Sequence, residues 1–135
     1  MASLVIVSHS RKLAEGLKEI LEQIAKNIKI IAIGGVAVGK SSEGALGSDP
    51  VRIKETFLSL ANEDAIFVIC DFGSTVLAVK YAIKMLPEEL IKKIHLIDAP
   101  LVEGAYAAAV EISSGSTVEE VIKAAENSRN FHKFS

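Results

Sequence analysis

The sequence is poor in cysteine, in aromatic residues and in net charge, and each shortage excludes a class of protein. Cys70 is the only cysteine among 135 residues, so an internal disulfide is impossible. The formal net charge is −2 without blocks of like charge, which argues against a nucleic-acid binder or a membrane-surface protein. No apolar run approaches the roughly 20 residues of a membrane span. No signal peptide is visible either, so we expect a cytoplasmic protein.

What the sequence does contain is aliphatic side chains arranged in an α/β pattern. Half of the residues are hydrophobic but only 5% are aromatic, which is typical of buried parallel strands covered by helices. Apolar runs alternate with segments of helical period from end to end. We therefore expect one α/β domain over residues 1–135, with an open, mostly parallel sheet of four or five strands and helices on both faces. The pattern predicts strands at 3–8, 28–33, 65–70 and 93–98, a long glycine-rich loop over 34–48, and a loosely ordered tail over 127–135.

One segment matches a nucleotide-binding pattern letter for letter. "GGVAVGKS" (34–41) fits the phosphate-loop pattern G-x-x-x-x-G-K-[ST], which requires a helix to open at its Lys-Ser end. The following "SEGALGSDP" (42–50) contains two glycines and a proline, so no stable helix is expected there. Lys40 is then expected to be solvated in the loop. "FVICD" (67–71) resembles a Walker B strand, however, and a P-loop nucleotide-binding protein therefore stays open as an alternative.

The chemistry-bearing residues follow the strands. Sites in open α/β sheets lie at the carboxyl ends of the strands. His9 follows the first strand and Asp71 the third, so they face a common crevice if these strands are parallel neighbours. The carboxylate would accept the proton of one ring nitrogen and leave the other lone pair facing outward, beside helix N-termini that favour an anion. His9 is then placed to accept a phosphoryl group, unless His9 or Asp71 serves only as a helix cap.

The remaining histidines and the cysteine are expected to be structural or inert. His95 lies within a predicted strand and His132 in the tail. Cys70 lies in an apolar strand, where a buried, unreactive thiol is the expectation. We expect no metal site.

Four segments, in this order and spacing, resemble a known family: "LVIVSHS" (4–10), "GSD" (47–49), "DFGST" (71–75) and "APLVEGAYAAAV" (99–110). They resemble the phosphoryl-carrier subunits, DhaM, of PEP-dependent dihydroxyacetone kinases and, more broadly, the mannose-type IIA domains of the sugar phosphotransferase system. The resemblance spans essentially the whole chain. It implies the mannose-type IIA fold, a homodimer and a phosphotransferase function through a phosphohistidine.

The resemblance also implies roles for single residues. His9 would be phosphorylated, through Nε2, and Asp71 would orient the imidazole. Phe72 and the 36–46 loop are expected to form a docking rim, with core packing as the alternative for Phe72. The residues expected to line the phosphoryl site are Ser10, Gly34, Gly35, Gly47, Ser48, Gly73 and Ser74.

The implied partners are two proteins. HPr would be the phosphoryl donor, and we expect it to be a separate protein because Ser135 ends the chain before any fused carrier domain. ADP bound to the DhaL subunit would be the acceptor. No resident cofactor is expected, since ADP and Mg²⁺ would belong to the partner. A IIA component of a mannose-type sugar transporter and a regulatory domain that senses phosphorylation remain alternatives.

Overall fold

The structure is a computed structural model that describes residues 1–38 and 41–134, apart from the side chains of residues 37–38 and 41–45. Lys40 and the end of the tail, Ser135, lie outside the described residues. Within the described part, no helix is both long and apolar enough to cross a membrane.

A sheet of four parallel strands forms the centre of the molecule. Its strands are β1 (Ala2–Ser8), β2 (Lys29–Gly34), β5 (Ala65–Cys70) and β6 (Ile94–Ile97). They lie in the order β2-β1-β5-β6, and β1 pairs in parallel with both β2 and β5. The predicted α/β class and the open parallel sheet are confirmed.

Helices cover both faces of this sheet. One face carries α1 (Arg11–Ile24), α5 (Leu101–Ser113) and α6 (Val118–Asn127), and the other carries α2 (Pro50–Ser59), α3 (Gly73–Ile83) and the short α4 (Glu88–Ile91). Successive side chains of a strand point to opposite faces. Along β1, Leu4 and Ile6 therefore pack in the first core, and Val5 and Val7 pack in the second. Burial on both faces explains why residues 4–7 of β1 and 65–69 of β5 are unbroken apolar runs.

The predicted glycine-rich loop is not wholly irregular. It contains an antiparallel pair, β3 (Val36–Val38) and β4 (Ser41–Ala45), in which Val36 lies opposite Ala45. Strands of three and five residues, the second with a glycine inside it, leave no periodic signal in the sequence. A strand rather than a helix thus stands at the Lys-Ser end of the phosphate-loop pattern, in agreement with the glycines and the proline that argue against a helix there.

The C-terminal segment contacts the rest of the domain. A 3₁₀ turn (Ser128–Asn130) follows α6, and the guanidinium of Arg129 donates to the carbonyl of Asp98. Lys133 pairs with Glu103 of α5. The loose order of the tail stays a prediction.

The strand order determines where the sheet opens. The connection through α1 leads from β1 to β2 on one side, and the connection through α3 leads from β5 to β6 on the other. The chain therefore diverges between β1 and β5, and such a divergence leaves a crevice at the carboxyl ends of the two strands. His9 and Asp71 follow these two strands.

Candidate functional site

His9 lies at the junction of β1 and α1. The chain leaves the strand at Ser8, and Ser10 is the N-cap of α1, with its Oγ accepting from the N–H of Leu13 at 3.2 Å. Because Ser10 provides the cap, the imidazole of His9 is not needed for it. The side chain is 25% exposed and faces the crevice beside β5.

Asp71 holds His9 by two contacts. Its Oδ1 lies 3.0 Å from His9 Nδ1, and its Oδ2 accepts from the His9 backbone N–H at 2.9 Å. The carboxylate is 7% exposed, so water does not compete for these bonds. Asp71 is not the N-cap of α3 either, since that position is held by Phe72. The two predicted site residues are therefore in direct contact.

The surroundings of Asp71 keep its carboxylate ionised. Burial raises the pKa of Asp71, but hydrogen bonds from the His9 N–H, the hydroxyls of Ser8 and Thr75, and the Phe72 N–H outweigh it and lower the pKa to about 2. An ionised carboxylate can only accept hydrogen bonds. His9 Nδ1 must therefore carry the ring proton of the neutral imidazole, which leaves the lone pair on Nε2.

The Nε2 side of the ring faces the start of α3. The hydroxyl of Ser74 is in hydrogen-bonding contact with Nε2 and is the donor, since Nε2 has no proton. Gly73 and Ser74 lie in the first turn of α3, where backbone N–H groups lack intrahelical acceptors and the helix dipole is positive. The ring of Phe72 lies 5.6 Å from that of His9 and is 69% exposed, so Phe72 is not a core residue.

Both ends of the 34–48 segment border the site. A Cβ added to Gly34 would lie 2.5 Å from the carbonyl oxygen of Ser10, so only glycine allows β2 to end this close to α1. Gly35 follows with a φ of 74°. The Gly47 N–H donates to the His9 carbonyl at 2.9 Å, and Ser48 Oγ lies 3.1 Å from Thr75 Oγ1.

Two residues of the site were not predicted. Thr75 is fully buried, with its Oγ1 2.8 Å from His9 Nδ1. Ser8 donates to Asp71 Oδ2 at 2.8 Å and accepts from the Ser10 N–H at 3.0 Å. The signal that could have identified both was the hydroxyl side chain next to a residue already chosen, in "VSHS" and in "DFGST".

Comparison with known proteins identifies the family of this chain. A sequence model of the EIIA-man family, described as the PTS system fructose IIA component, matches residues 3–122. The chain belongs to the EIIA-man family.

Comparison of this EIIA-man chain with individual relatives confirms the resemblance to DhaM. It is 38% identical over 128 residues to a phosphoryl donor subunit DhaM of PEP-dependent dihydroxyacetone kinase 2 from Listeria innocua, covering 94% of this chain and 98% of the relative. It is 37% identical over 124 residues to the corresponding Escherichia coli subunit, covering 90% of this chain and 26% of the relative, so it spans about a quarter of that protein. The crystal structure of EF1359, a protein of unknown function, superposes with a TM-score of 0.81 at 39% identity over 93% of each chain.

The other titratable candidates of the EIIA-man chain lie away from His9. His95 packs its ring 5.4 Å from that of Phe67, and burial lowers the pKa of His95. His132 is exposed near the C-terminus. Burial raises the pKa of the Cys70 thiol to about 12, and the negative charge of Asp71 makes a smaller contribution in the same direction. Among the residues that the structure describes, no three His, Cys, Asp or Glu side chains are grouped as a metal site requires.

Proposed function

We propose that this chain is the phosphohistidine carrier of a PEP-dependent dihydroxyacetone kinase. It accepts a phosphoryl group from HPr on His9 and passes it to ADP bound to the DhaL subunit, in the cytoplasm. The observation that carries the proposal is the position of the imidazole: Nδ1 lies 3.0 Å from Asp71 Oδ1, and Nε2 faces Ser74 at the start of α3. The kinase assignment is supported by the names of the relatives.

The first transfer needs positioning more than covalent assistance. The Nε2 lone pair of His9 attacks phosphorus, the N–P bond to the donor's imidazole breaks, and the donor ring leaves with that electron pair. Nδ1–H stays with Asp71, which stabilises the positive charge that develops on the ring. The Ser74 hydroxyl turns its proton from Nε2 to a phosphoryl oxygen, next to the N–H groups of the α3 first turn. A loose phosphoryl-transfer transition state requires such charge stabilisation and little else.

The second transfer reverses the bond changes at His9. A β-phosphate oxygen of ADP attacks phosphorus, the Nε2–P bond breaks, and the imidazole regains its lone pair. Mg²⁺ would act in the nucleotide site of the partner. Partner access is consistent with the exposure of Phe72 beside the His9 ring, which we propose as part of the docking rim together with the 36–46 segment.

The test is mass spectrometry after incubation with PEP, enzyme I and HPr, followed by addition of DhaL–ADP. We expect one added phosphate, on His9, that disappears with DhaL–ADP. His9→Ala should fold but take up none, whereas the control variants His95→Ala and His132→Ala should take up one phosphate each. Phosphate on another histidine, or uptake by His9→Ala, would contradict the proposal.

The same experiment separates the other candidate functions. The description of the family as a fructose IIA component favours a sugar-transporter component as the second candidate. In that case phospho-His9 resists DhaL–ADP and is discharged by the B domain of a transporter. Phosphate that no acceptor removes would indicate a regulatory domain. If no phosphate is taken up at all, the nucleotide-binding alternative based on "GGVAVGKS" would be favoured. That alternative has β4 at the position where a nucleotide site needs a helix.

We also propose that the protein is a homodimer. In the described part of the chain β6 pairs with β5 alone, and Leu96 on this edge strand is 42% exposed. Leu96 and Val76 line a groove of about 380 Å³ between β6 and α3, and a second copy that covers this part of the groove would leave Phe72 accessible to the partners. Sedimentation equilibrium should give twice the monomer mass, reduced by Leu96→Lys but not by Leu58→Lys on α2. A wild-type monomer at all concentrations would contradict it.

A further inference from the structure

We propose that Thr75 is a second positioning residue for His9, acting with Asp71 on the Nδ1 proton, and that Ser48 orients the Thr75 hydroxyl. The inference deepens the proposed function and rests on it in one respect, since it matters for transfer only if Nε2 is the nucleophile.

Thr75 is as close to the imidazole as Asp71 is. Thr75 Oγ1 lies 2.8 Å from His9 Nδ1, and Asp71 Oδ1 lies 3.0 Å from the same nitrogen. A bare Nδ1 would bring its lone pair against those of the ionised carboxylate 3.0 Å away, so the neutral ring carries its proton on Nδ1. The Thr75 hydroxyl therefore accepts from Nδ1–H, which is shared between the hydroxyl and the carboxylate.

The proton of the Thr75 hydroxyl has its own acceptor. Ser48 Oγ lies 3.1 Å from Thr75 Oγ1, so it can accept that proton while the Thr75 oxygen accepts from Nδ1–H. Thr75 is fully buried, so no bulk water replaces a lost partner. The orientation of the hydroxyl is therefore determined by His9 on one side and Ser48 on another.

This arrangement works against the wrong tautomer. With the proton on Nε2, the bare Nδ1 would face the lone pairs of a carboxylate oxygen, and the Thr75 hydroxyl would have to turn its proton away from Ser48 to reach Nδ1. The Nε2–H form also has no lone pair with which to attack phosphorus. Thr75 thereby adds to the preference for the nucleophilic form. The end of the 34–48 segment also contacts His9 directly, because the Gly47 N–H donates to the His9 carbonyl. Ser48, the next residue, contacts the Thr75 hydroxyl.

The test compares Thr75→Val, which keeps the shape and removes the hydroxyl, with Thr75→Ser, which keeps the hydroxyl. Thr56→Val on α2 is the matched control, because the Thr56 hydroxyl donates to the Arg52 carbonyl outside the site. The readouts are the ¹⁵N chemical shifts of the His9 ring in the free protein and the single-turnover rate of phosphoryl uptake from phospho-HPr. Thr75→Val should raise the Nε2–H fraction severalfold and slow uptake about tenfold, equivalent to about 1.4 kcal/mol. Thr75→Ser and Thr56→Val should stay close to wild type.

Two results would overturn the inference. One is a wild-type tautomer ratio in Thr75→Val. The other is a Thr75→Ser variant that takes up phosphate as slowly as Thr75→Val, because this would mean that the side chain acts by packing alone. Should Thr75→Val not fold, Ser48→Ala provides the second measurement. Ser48→Ala should also raise the Nε2–H fraction. An unchanged Nε2–H fraction in this variant would contradict the proposal. A wild-type protein that takes up no phosphate would refute the proposed function instead. The ¹⁵N chemical shifts of the His9 ring would still test the positioning role of Thr75, because they are measured in the free protein.

Discussion

Asp71→Asn is the substitution whose effect follows most directly from the geometry of the site. Oδ1 of Asp71 faces His9 Nδ1 and the Phe72 N–H at 2.7 Å, and Oδ2 faces the His9 N–H and the Ser8 hydroxyl. Each oxygen therefore meets a backbone donor. The amide of Asn has an NH₂ in place of one oxygen, so in either orientation it turns a donor towards a backbone N–H.

The expected loss of transfer rate is moderate. The substitution removes a charge-assisted hydrogen bond to Nδ1–H, which is worth about 1.5–3 kcal/mol. Phosphoryl uptake from phospho-HPr should then slow between about tenfold and about a hundredfold, and not disappear, because Nε2 of His9 is still present. Single-turnover quenched-flow measurements would give the rate.

The same substitution should change how stability depends on pH. A fall in the pKa of Asp71 from 3.8 to about 2 corresponds to about 2.4 kcal/mol of folding free energy. Since the folded-state pKa is the lower one, this contribution is complete above about pH 5, about half of it remains at pH 3, and it is lost as the pH falls through about 2. The difference in unfolding free energy between wild type and Asp71→Asn should therefore narrow by about 1 kcal/mol from pH 6 to pH 3.

Urea denaturation at the two pH values measures that difference. Asp64→Asn is the control for the transfer rate, because Asp64 precedes β5 at the opposite end of the strand and is exposed. It should transfer at the wild-type rate. The reasoning would be refuted by an unfolding difference between wild type and Asp71→Asn that is equal at both pH values, together with a rate within twofold of wild type.

Two further predictions concern packing and reactivity. Gly34→Ala places a Cβ 2.5 Å from the Ser10 carbonyl oxygen and should lower the unfolding free energy by about 1–3 kcal/mol. Gly16→Ala has open space around the new Cβ and should raise the unfolding free energy by about 0.5–1 kcal/mol. Equal effects of the two substitutions in urea denaturation would show that the junction of β2 and α1 relaxes freely. With the pKa of Cys70 at about 12, only about one thiol in 10,000 is ionised at pH 8, so a disulfide reagent should react far more slowly with the folded than with the urea-unfolded protein. Equal rates would contradict the burial of Cys70.

Two helix starts have a signature that lies entirely in neighbouring residues. Asp49 with Pro50 at the first helical position begins α2, and the Thr117–Glu120 capping box begins α6. The strands were predictable for a similar reason, since a strand buried on both faces must be apolar throughout. The shortest elements, α4 with four residues and the β3–β4 pair with three and five, repeat their periods too few times to give such a signal.

The α/β class, the approximate limits of the four main strands and the positions of a histidine and an aspartate at two strand ends can be read from the amino-acid sequence alone. Which strands are neighbours depends on the tertiary structure, because the pairing of β1 with β5 joins residues about 60 positions apart and leaves no local pattern. That pairing sets Asp71 against His9 Nδ1, and the phase of α3 then directs Ser74 to Nε2 and Thr75 to Nδ1. Which nitrogen of His9 is left free is therefore a property of the fold.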